Sequence, residues 1–335
     1  MKREITLLLG DRGLLTNDWR ALPLTEVMNA FIKDIPAEKD HTRRAYRSDL
    51  NFLLAYMGRK EKIHHILLGD MTPRVIEGFL EHRIQHGDAP TTAARRMGAI
   101  RAFDSFVAER EPMYACPSRR VELPSIELRA FEGITDKEAR KLTAAAYELG
   151  EGRATKLRNG VAVELLLSTG LRANELITAT EGQLSKCGGW IRNHRCKGGH
   201  FRDVYIPIDS RVSLFRWMNE RDRILARYRL RTSLPYPLLV SDRAASAKDP
   251  ASFRMDMKTL WRIVVYAAEA AGLRHIHPHM LRHARAHEIL DVSGDIRLVA
   301  QALGHRSLQT TMRYTQRSQE KIAERLEHTR RKREG

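Results

Sequence analysis

Cysteine is scarce in this chain. Cys116, Cys187 and Cys196 are three among 335 residues, odd in number and without a C-x-x-C pair. Such usage argues against a disulfide framework and for a reducing compartment. Long apolar runs are missing too, since none approaches the ~20 residues of a membrane span. The short run at residues 5–9 closes at Gly10-Asp11 and is too brief for the core of a secretory signal. The expected location is therefore the cytoplasm, at the nucleoid, with no membrane partner. Acid is in deficit: 41 Asp and Glu stand against 58 Lys and Arg, a formal net charge of +17. A surplus of that sign points to a polyanion, either nucleic acid or an acidic membrane, with a solvated basic surface as the bland alternative. A chain of 335 residues suits two domains of ordinary size, each with its own core.

Residues 1–20 read as an N-terminal extension, and 21–111 as a helical domain. Tyr46, Leu50 and Leu53 fall on one stripe. Thr72 followed by Pro73 reads as a cap and first position of a helix. A further helix over 91–109 has Met97, Ile100, Phe103 and Val107 on its apolar side, with Arg95, Arg96 and Arg101 elsewhere around it. Residues 112–133 contain Pro112, Pro117, Pro124 and Gly133 without sustained periodicity, which predicts a linker. Thr135 and Glu138 form a capping box that opens a second domain over 134–316. Within it a buried helix over 157–168 ends at Gly170. Strands at 190–192 and 203–206 flank Lys197-Gly198-Gly199-His200 as a hairpin, and helices follow around 212–229, 253–271, 278–290 and 296–303. The expected fold is mainly α with a small antiparallel sheet, without internal repeats.

The most informative residues lie late in the chain: His279-Met280-Leu281-Arg282-His283, then Leu303-Gly304-His305, then Tyr314. His279 and Arg282 are at i, i+3 spacing, so on a helix they face one region. A cation, two imidazoles and a phenol gathered together suit attack by a tyrosine on a phosphodiester. Upstream, Thr169-Gly170-Leu171-Arg172-Ala173-Asn174-Glu175-Leu176 adds an arginine, and Cys196-Lys197-Gly198-Gly199 adds a lysine in a glycine turn. Taken singly, each residue has a plainer reading: surface ion pairs for the arginines, including Arg172 with Glu175 at i+3, core histidines for His279 and His305, and an exposed hairpin lysine for Lys197.

Together these features resemble the tyrosine recombinase, or phage integrase, family, whose signature is Arg, Lys, His-x-x-Arg, His or Trp, then Tyr in that order. The resemblance runs from about Leu24 to about Tyr314 and includes 92–103, similar to the family's core-binding helix, and 308–314, similar to its nucleophile segment. It implies a four-helix core-binding domain and a catalytic domain closing on DNA as a C-shaped clamp. The implied catalytic set is Arg172, Lys197, His279, Arg282, His305 and Tyr314, with Glu175 supporting it. Arg172 and Arg282 would hold the non-bridging oxygens of the phosphate, since guanidinium is permanently charged and presents paired donors. His279 and His305 would donate to the phosphate or take the tyrosine proton, and Lys197 would protonate the departing 5′ oxygen, with His200 or Arg202 as substitutes. Arg44, Arg95, Arg96 and Arg101 are the candidate DNA contacts. No cofactor and no metal are implied. The partner is a double-stranded recombination site, engaged by a homotetramer on two duplexes through a 3′-phosphotyrosyl link and a Holliday junction. Integration, excision, transposition of a mobile element and dimer resolution all remain open, and accessory proteins are not identified. The segment after Tyr314, residues 317–335, reads as a short basic tail helix that passes to a neighbouring protomer or rests on its own domain.

The rival from another class is a metal-dependent hydrolase or a zinc-stabilised DNA binder built on His275, His277, His279, His283 and His287, three of which repeat at i, i+4, i+8. No cysteine lies nearby, no H-E-x-x-H occurs, and Arg172, Lys197 and Tyr314 are left without roles. A non-catalytic DNA binder of the same fold, and a type IB topoisomerase using the same chemistry, are lesser alternatives.

Overall fold

The computed structural model describes residues 18–59, 65–122, 133–196, 199–228, 235–241, 249–305 and 308–312. The chain divides into two units, Met1–Leu128 and Arg129–Gly335.

Among its described residues the first unit has four α-helices: α1 (Leu24–Asp34), α2 (Asp40–Arg59), α3 (Pro73–Gln85) and α4 (Pro90–Ala108). The Thr72 hydroxyl accepts from the Val75 amide at 3.3 Å and Pro73 occupies the first position, where a missing N–H costs nothing. Leu50, Leu53, Phe79, Met97, Ile100, Phe103 and Val107 are buried, with Tyr46 packed at their edge. Phe31 meets Phe103 edge-on at 5.7 Å and Tyr46 nearly face to face at 5.9 Å. Each fully buried side chain of this size contributes about 1.5–3 kcal/mol.

The first half of the expected linker belongs to this core. Tyr114, Cys116 and Val121 are buried, and residues 117–120 form a 3-10 turn. The cause is Asp104 of α4, itself buried, whose carboxylate accepts from the Tyr114 hydroxyl at 2.7 Å and the Ser118 amide at 2.8 Å. Periodicity cannot register order imposed by tertiary hydrogen bonds on a proline-rich segment.

The second unit comprises α5 (Asp136–Glu148), α6 (Arg153–Thr169), α7 (Ala173–Thr178), strands β1 (Trp190–Arg195) and β2 (Phe201–Tyr205), then α8 (Ile208–Ala226), α9 (Met257–Ala270), α10 (Pro278–Ser293), α11 (Ile296–Leu303) and α12 (Leu308–Met312). The Thr135–Glu138 capping box is present, with the Thr135 amide donating to Glu138 at 2.8 Å and the Glu138 amide to Thr135 at 3.2 Å. Val161, Ala162, Val163, Leu165 and Leu166 of α6 are all buried, so this helix is the axis of the unit. Around it pack α5, α8 and α10. The two strands are antiparallel, pairing Trp190 with Tyr205 and Arg195 with Phe201. A bulge between Ile191 and His194 places Asn193 at φ 50° and turns His194 into the interior. α9 starts at Met257 because Asp256 caps it, accepting from the Thr259 amide at 2.8 Å, while residues 250–253 form a separate 3-10 turn. Among the described residues no helix is long and apolar enough to cross a membrane.

Candidate active site

Local sequence explains where each polar side chain of the site stands. Gly170, at φ 66°, ends α6 in the left-handed conformation, Leu171 plugs into the core, and Arg172 becomes the residue before α7. Glu175 then sits in the first turn of α7, where its carboxylate accepts from the Arg172 amide at 3.1 Å. Its other oxygen meets the Arg172 guanidinium at 2.6 Å.

The pairing read as a surface ion pair is thus buried at its acidic end. Glu175 is 4% exposed and is surrounded by Arg172, by Arg202 at 3.1 Å and by Arg282 at 3.7 Å. Burial alone would raise its carboxyl pKa, but the Arg202 charge, the Arg172 amide and the Arg172 and Arg282 charges outweigh burial and hold it below its ordinary value. Glu175 is therefore an anion that anchors three guanidinium groups.

Arg282 lies one turn into α10 and is 4% exposed. Its guanidinium donates to the Gly170 carbonyl at 2.6 Å and the Leu303 carbonyl at 2.7 Å. Both carbonyls belong to helix C-termini, where the partial negative charge favours a cation. The same side chain lies 3.0 Å from Nε2 of His305. Gly304, at φ 66°, terminates α11, and the His305 amide donates back to the Ala300 carbonyl at 2.9 Å. Nδ1 of His305 is 2.9 Å from the Thr311 hydroxyl. A guanidinium only donates, so the hydrogen-bond pattern assigns the His305 proton to Nδ1 and leaves Nε2 as an acceptor.

The structure therefore brings Arg172, Glu175, Arg282 and His305 into one hydrogen-bonded cluster. His279 is on the exposed first turn of α10, with its ring 6.1 Å from that of His277. Lys197 and Tyr314 lie outside the described residues, as does the tail, 317–335. Of the proposed substitutes for Lys197, Arg202 is unsuited: its guanidinium is held by Glu175 and by the Ala302 carbonyl. His200 meets the Gly304 carbonyl through Nε2 at 3.2 Å. Sequence reasoning missed Thr311 and His194, the latter buried beside Glu175 and Arg202. Burial, with Arg202 adding to it and Glu175 opposing it, keeps this imidazole below its ordinary pKa. Only the bulge at Asn193 turns His194 inward, and no motif announces it.

The candidate DNA contacts in the first unit separate by burial. Arg96 must be corrected: its side chain is 6% exposed, paired to Asp49 at 2.9 Å and Asp88 at 2.7 Å, and stacked over Phe52 at 4.3 Å. The buried carboxylate of Asp49 and the partly buried one of Asp88 hold it inward. Arg95 is half exposed while paired with Asp49, and Arg101 is exposed with one bond to the Val121 carbonyl at 3.3 Å. Arg44 is exposed beside Asp40 and lines a shallow recess on α2 with Arg47, Ser48, Asn51 and Phe52. The histidine cluster does not make a metal centre: among the described residues no three His, Cys, Asp or Glu side chains are placed to hold an ion. His277 instead stacks on Trp261 at 5.4 Å.

Comparison with known proteins agrees with this geometry. The phage integrase family matches residues 132–321, and the phage integrase N-terminal SAM-like domain matches residues 28–111. Tyrosine recombinase XerC of Mycobacterium sp. (strain JLS) is 30% identical over 296 residues, covering 87% of this chain and 94% of its own. The fold is similar to that of XerH site-specific recombinase bound to palindromic difH substrate, at TM-score 0.68 and 20% identity, covering 90% of this chain and 83% of that one. It is also similar to a lambda integrase tetramer bound to a Holliday junction, at TM-score 0.62 and 18% identity, covering 88% and 77%. The metal-hydrolase alternative finds no support in these relatives. With both of its units matched and the arginine–glutamate–histidine cluster assembled, the chain belongs to the phage integrase family of tyrosine recombinases.

Proposed function

We propose that this protein cuts and rejoins DNA at a specific site, with Tyr314 as nucleophile. The observation that carries this reading is the convergence of Arg172 and Arg282 on Glu175, with Nε2 of His305 at 3.0 Å from Arg282. A phosphate entering there meets two fixed cations, which stabilise the charge that builds on the non-bridging oxygens in the five-coordinate transition state. The Tyr314 oxygen attacks phosphorus while the bond from phosphorus to the 5′ oxygen breaks. The phenol proton passes to the imidazole of His279, because Nε2 of His305 already accepts from Arg282 and its Nδ1 carries the ring proton. Lys197 supplies the proton to the departing 5′ oxygen, and His305 holds Arg282 in place beside the phosphate. The 5′ hydroxyl of a partner duplex then attacks the 3′-phosphotyrosyl ester, so the ester conserves the bond energy and no nucleotide cofactor is consumed. Four protomers act on two duplexes through a Holliday junction.

Residues 21–111, within the first unit, are the proposed core-binding domain, and residues 134–316, within the second, the catalytic domain. Arg44, Arg95 and Arg101 are the proposed phosphate contacts. Arg47, Asn51 and Phe52 join Arg44 on the same basic face of α2. The test is a suicide substrate resolved on a denaturing gel. Tyr314→Phe should bind DNA with unchanged affinity and form no covalent adduct, because one oxygen is removed and the cationic surface is kept. An adduct of normal yield in the mutant would refute the assignment.

A further inference from the structure

We infer that Arg202 is a positioning residue that ties the β1–β2 hairpin to the Glu175 anchor and to the turn that carries His305. This rests on the function proposed above. The Arg202 side chain is 8% exposed and reaches across the unit in two directions. One terminal nitrogen donates to Glu175 on α7 at 3.1 Å, and the other to the Ala302 carbonyl at the end of α11. A planar guanidinium can serve two acceptors in fixed directions, which a single ammonium cannot do.

Independent features mark the same junction. His200, two residues before Arg202, places Nε2 3.2 Å from the Gly304 carbonyl. At Gly304 an added Cβ would stand 2.6 Å from Cδ of Arg202, so the turn before His305 is shaped around this side chain. The hairpin base is closed by the Cys196 amide, which donates to the His200 carbonyl at 2.8 Å, and Cys196 is buried. Lys197 follows Cys196 directly in the chain. On the β2 side His200 and Arg202 are thus tied to the turn that carries His305, while Cys196 is bonded back to His200 across the hairpin.

Among the described residues three guanidinium groups face the Glu175 carboxylate, Arg172 from just before α7, Arg202 from β2 and Arg282 from α10, and the His194 imidazole of β1 lies beside them. Glu175 must stay ionised to hold Arg172 in place. Its pKa is depressed, so that support is present at neutral pH and is lost as pH falls through the depressed value. Removing Arg202 takes away a close countercharge, so the loss should begin at a higher pH.

The experiment uses the full-length protein on a nicked suicide duplex, measuring covalent adduct formation across pH and affinity by gel shift. Arg202→Met should bind DNA as the unaltered protein does. It should form adduct about a hundredfold more slowly, the order expected for misplaced groups, with the acid limb of the profile moved to higher pH. Arg202→Lys should return the acid limb towards its original position while the rate stays low. A rate and pH profile unchanged in both variants would overturn the inference. So would a slower Arg202→Met whose acid limb has not moved. If Arg202→Met fails to fold, Arg202→Lys decides, and a normal rate in that variant overturns the inference. Tyr314→Phe and the unaltered protein are run alongside. No adduct from the unaltered protein counts against the recombinase function itself, whereas normal adduct indifferent to Arg202 counts against this inference alone.

Discussion

At the scale of single residues, neighbouring arginines of one helix do different work. Arg95 and Arg96 look equivalent in sequence, yet Arg96 is buried between Asp49 and Asp88 while Arg95 stays half exposed. Breaking a buried pair from one side leaves an uncompensated charge and costs about 3–5 kcal/mol. An exposed pair is worth about 0–1 kcal/mol. Arg96→Ala should therefore lower the urea midpoint of unfolding markedly, with reduced DNA binding following from lost fold. Arg95→Ala and Arg44→Ala should leave the midpoint nearly unchanged and weaken DNA binding directly. Equal midpoints for Arg95→Ala and Arg96→Ala would contradict the buried network. Asp88 reports the same network, since the hydrogen bond from Arg83, helped by Arg96 against burial, holds its carboxyl far below the ordinary range.

At the scale of elements, α5 and α6 meet at a glycine. Gly160 lies mid-helix in α6, where propensity alone favours alanine by about 1 kcal/mol. An added Cβ would stand 2.2 Å from the Tyr147 ring of α5, which also bonds Glu164 through its hydroxyl at 2.6 Å. Tyr147 would have to leave its seat, and overpacking of this kind costs typically about 1–3 kcal/mol. Gly160→Ala should consequently destabilise the protein, by chemical denaturation, despite the better helix former. A stabilised variant would mean that the two helices part easily. That glycine was unremarkable in the sequence because its neighbour is thirteen residues away in the chain and adjacent only after packing (160 − 147 = 13).

For the whole molecule the formal charge of +17 is the governing quantity. Part of it is spent internally: Arg96, Arg158, Arg221 and Arg282 are buried, each committed to a carboxylate, a carbonyl or a side-chain oxygen. The remainder is available to phosphate. Binding to a duplex site should weaken steeply as salt rises, by about a thousandfold or more between 50 and 200 mM if six or more phosphates are neutralised. A fluorescence-anisotropy titration measures the slope. A flat response would remove the electrostatic basis for DNA as partner.

Much of this protein was decided by the sequence acting locally. Thr72-Pro73 and the Thr135–Glu138 box start their helices where expected, because a cap needs only residues three apart. Leu50, Leu53, Met97, Ile100, Phe103 and Val107 announced a buried face because helical periodicity is a property of neighbours along the chain. The order of Arg172, Lys197, His279, Arg282, His305 and Tyr314 likewise carried the family. Only the tertiary structure decided the rest. Tyr114 and Ser118 became core because Asp104 needed donors, and Arg96 turned inward to the buried Asp49 and its neighbour Asp88. Glu175 became the hub of three arginines, contributed by the residue before α7, by β2 and by α10. Arg202 and Gly304, 102 residues apart (304 − 202 = 102), were shaped to each other. The physical reason is common to all of these: a buried charge or donor is satisfied by whichever partner the fold brings near, and that choice is made across the chain rather than along it.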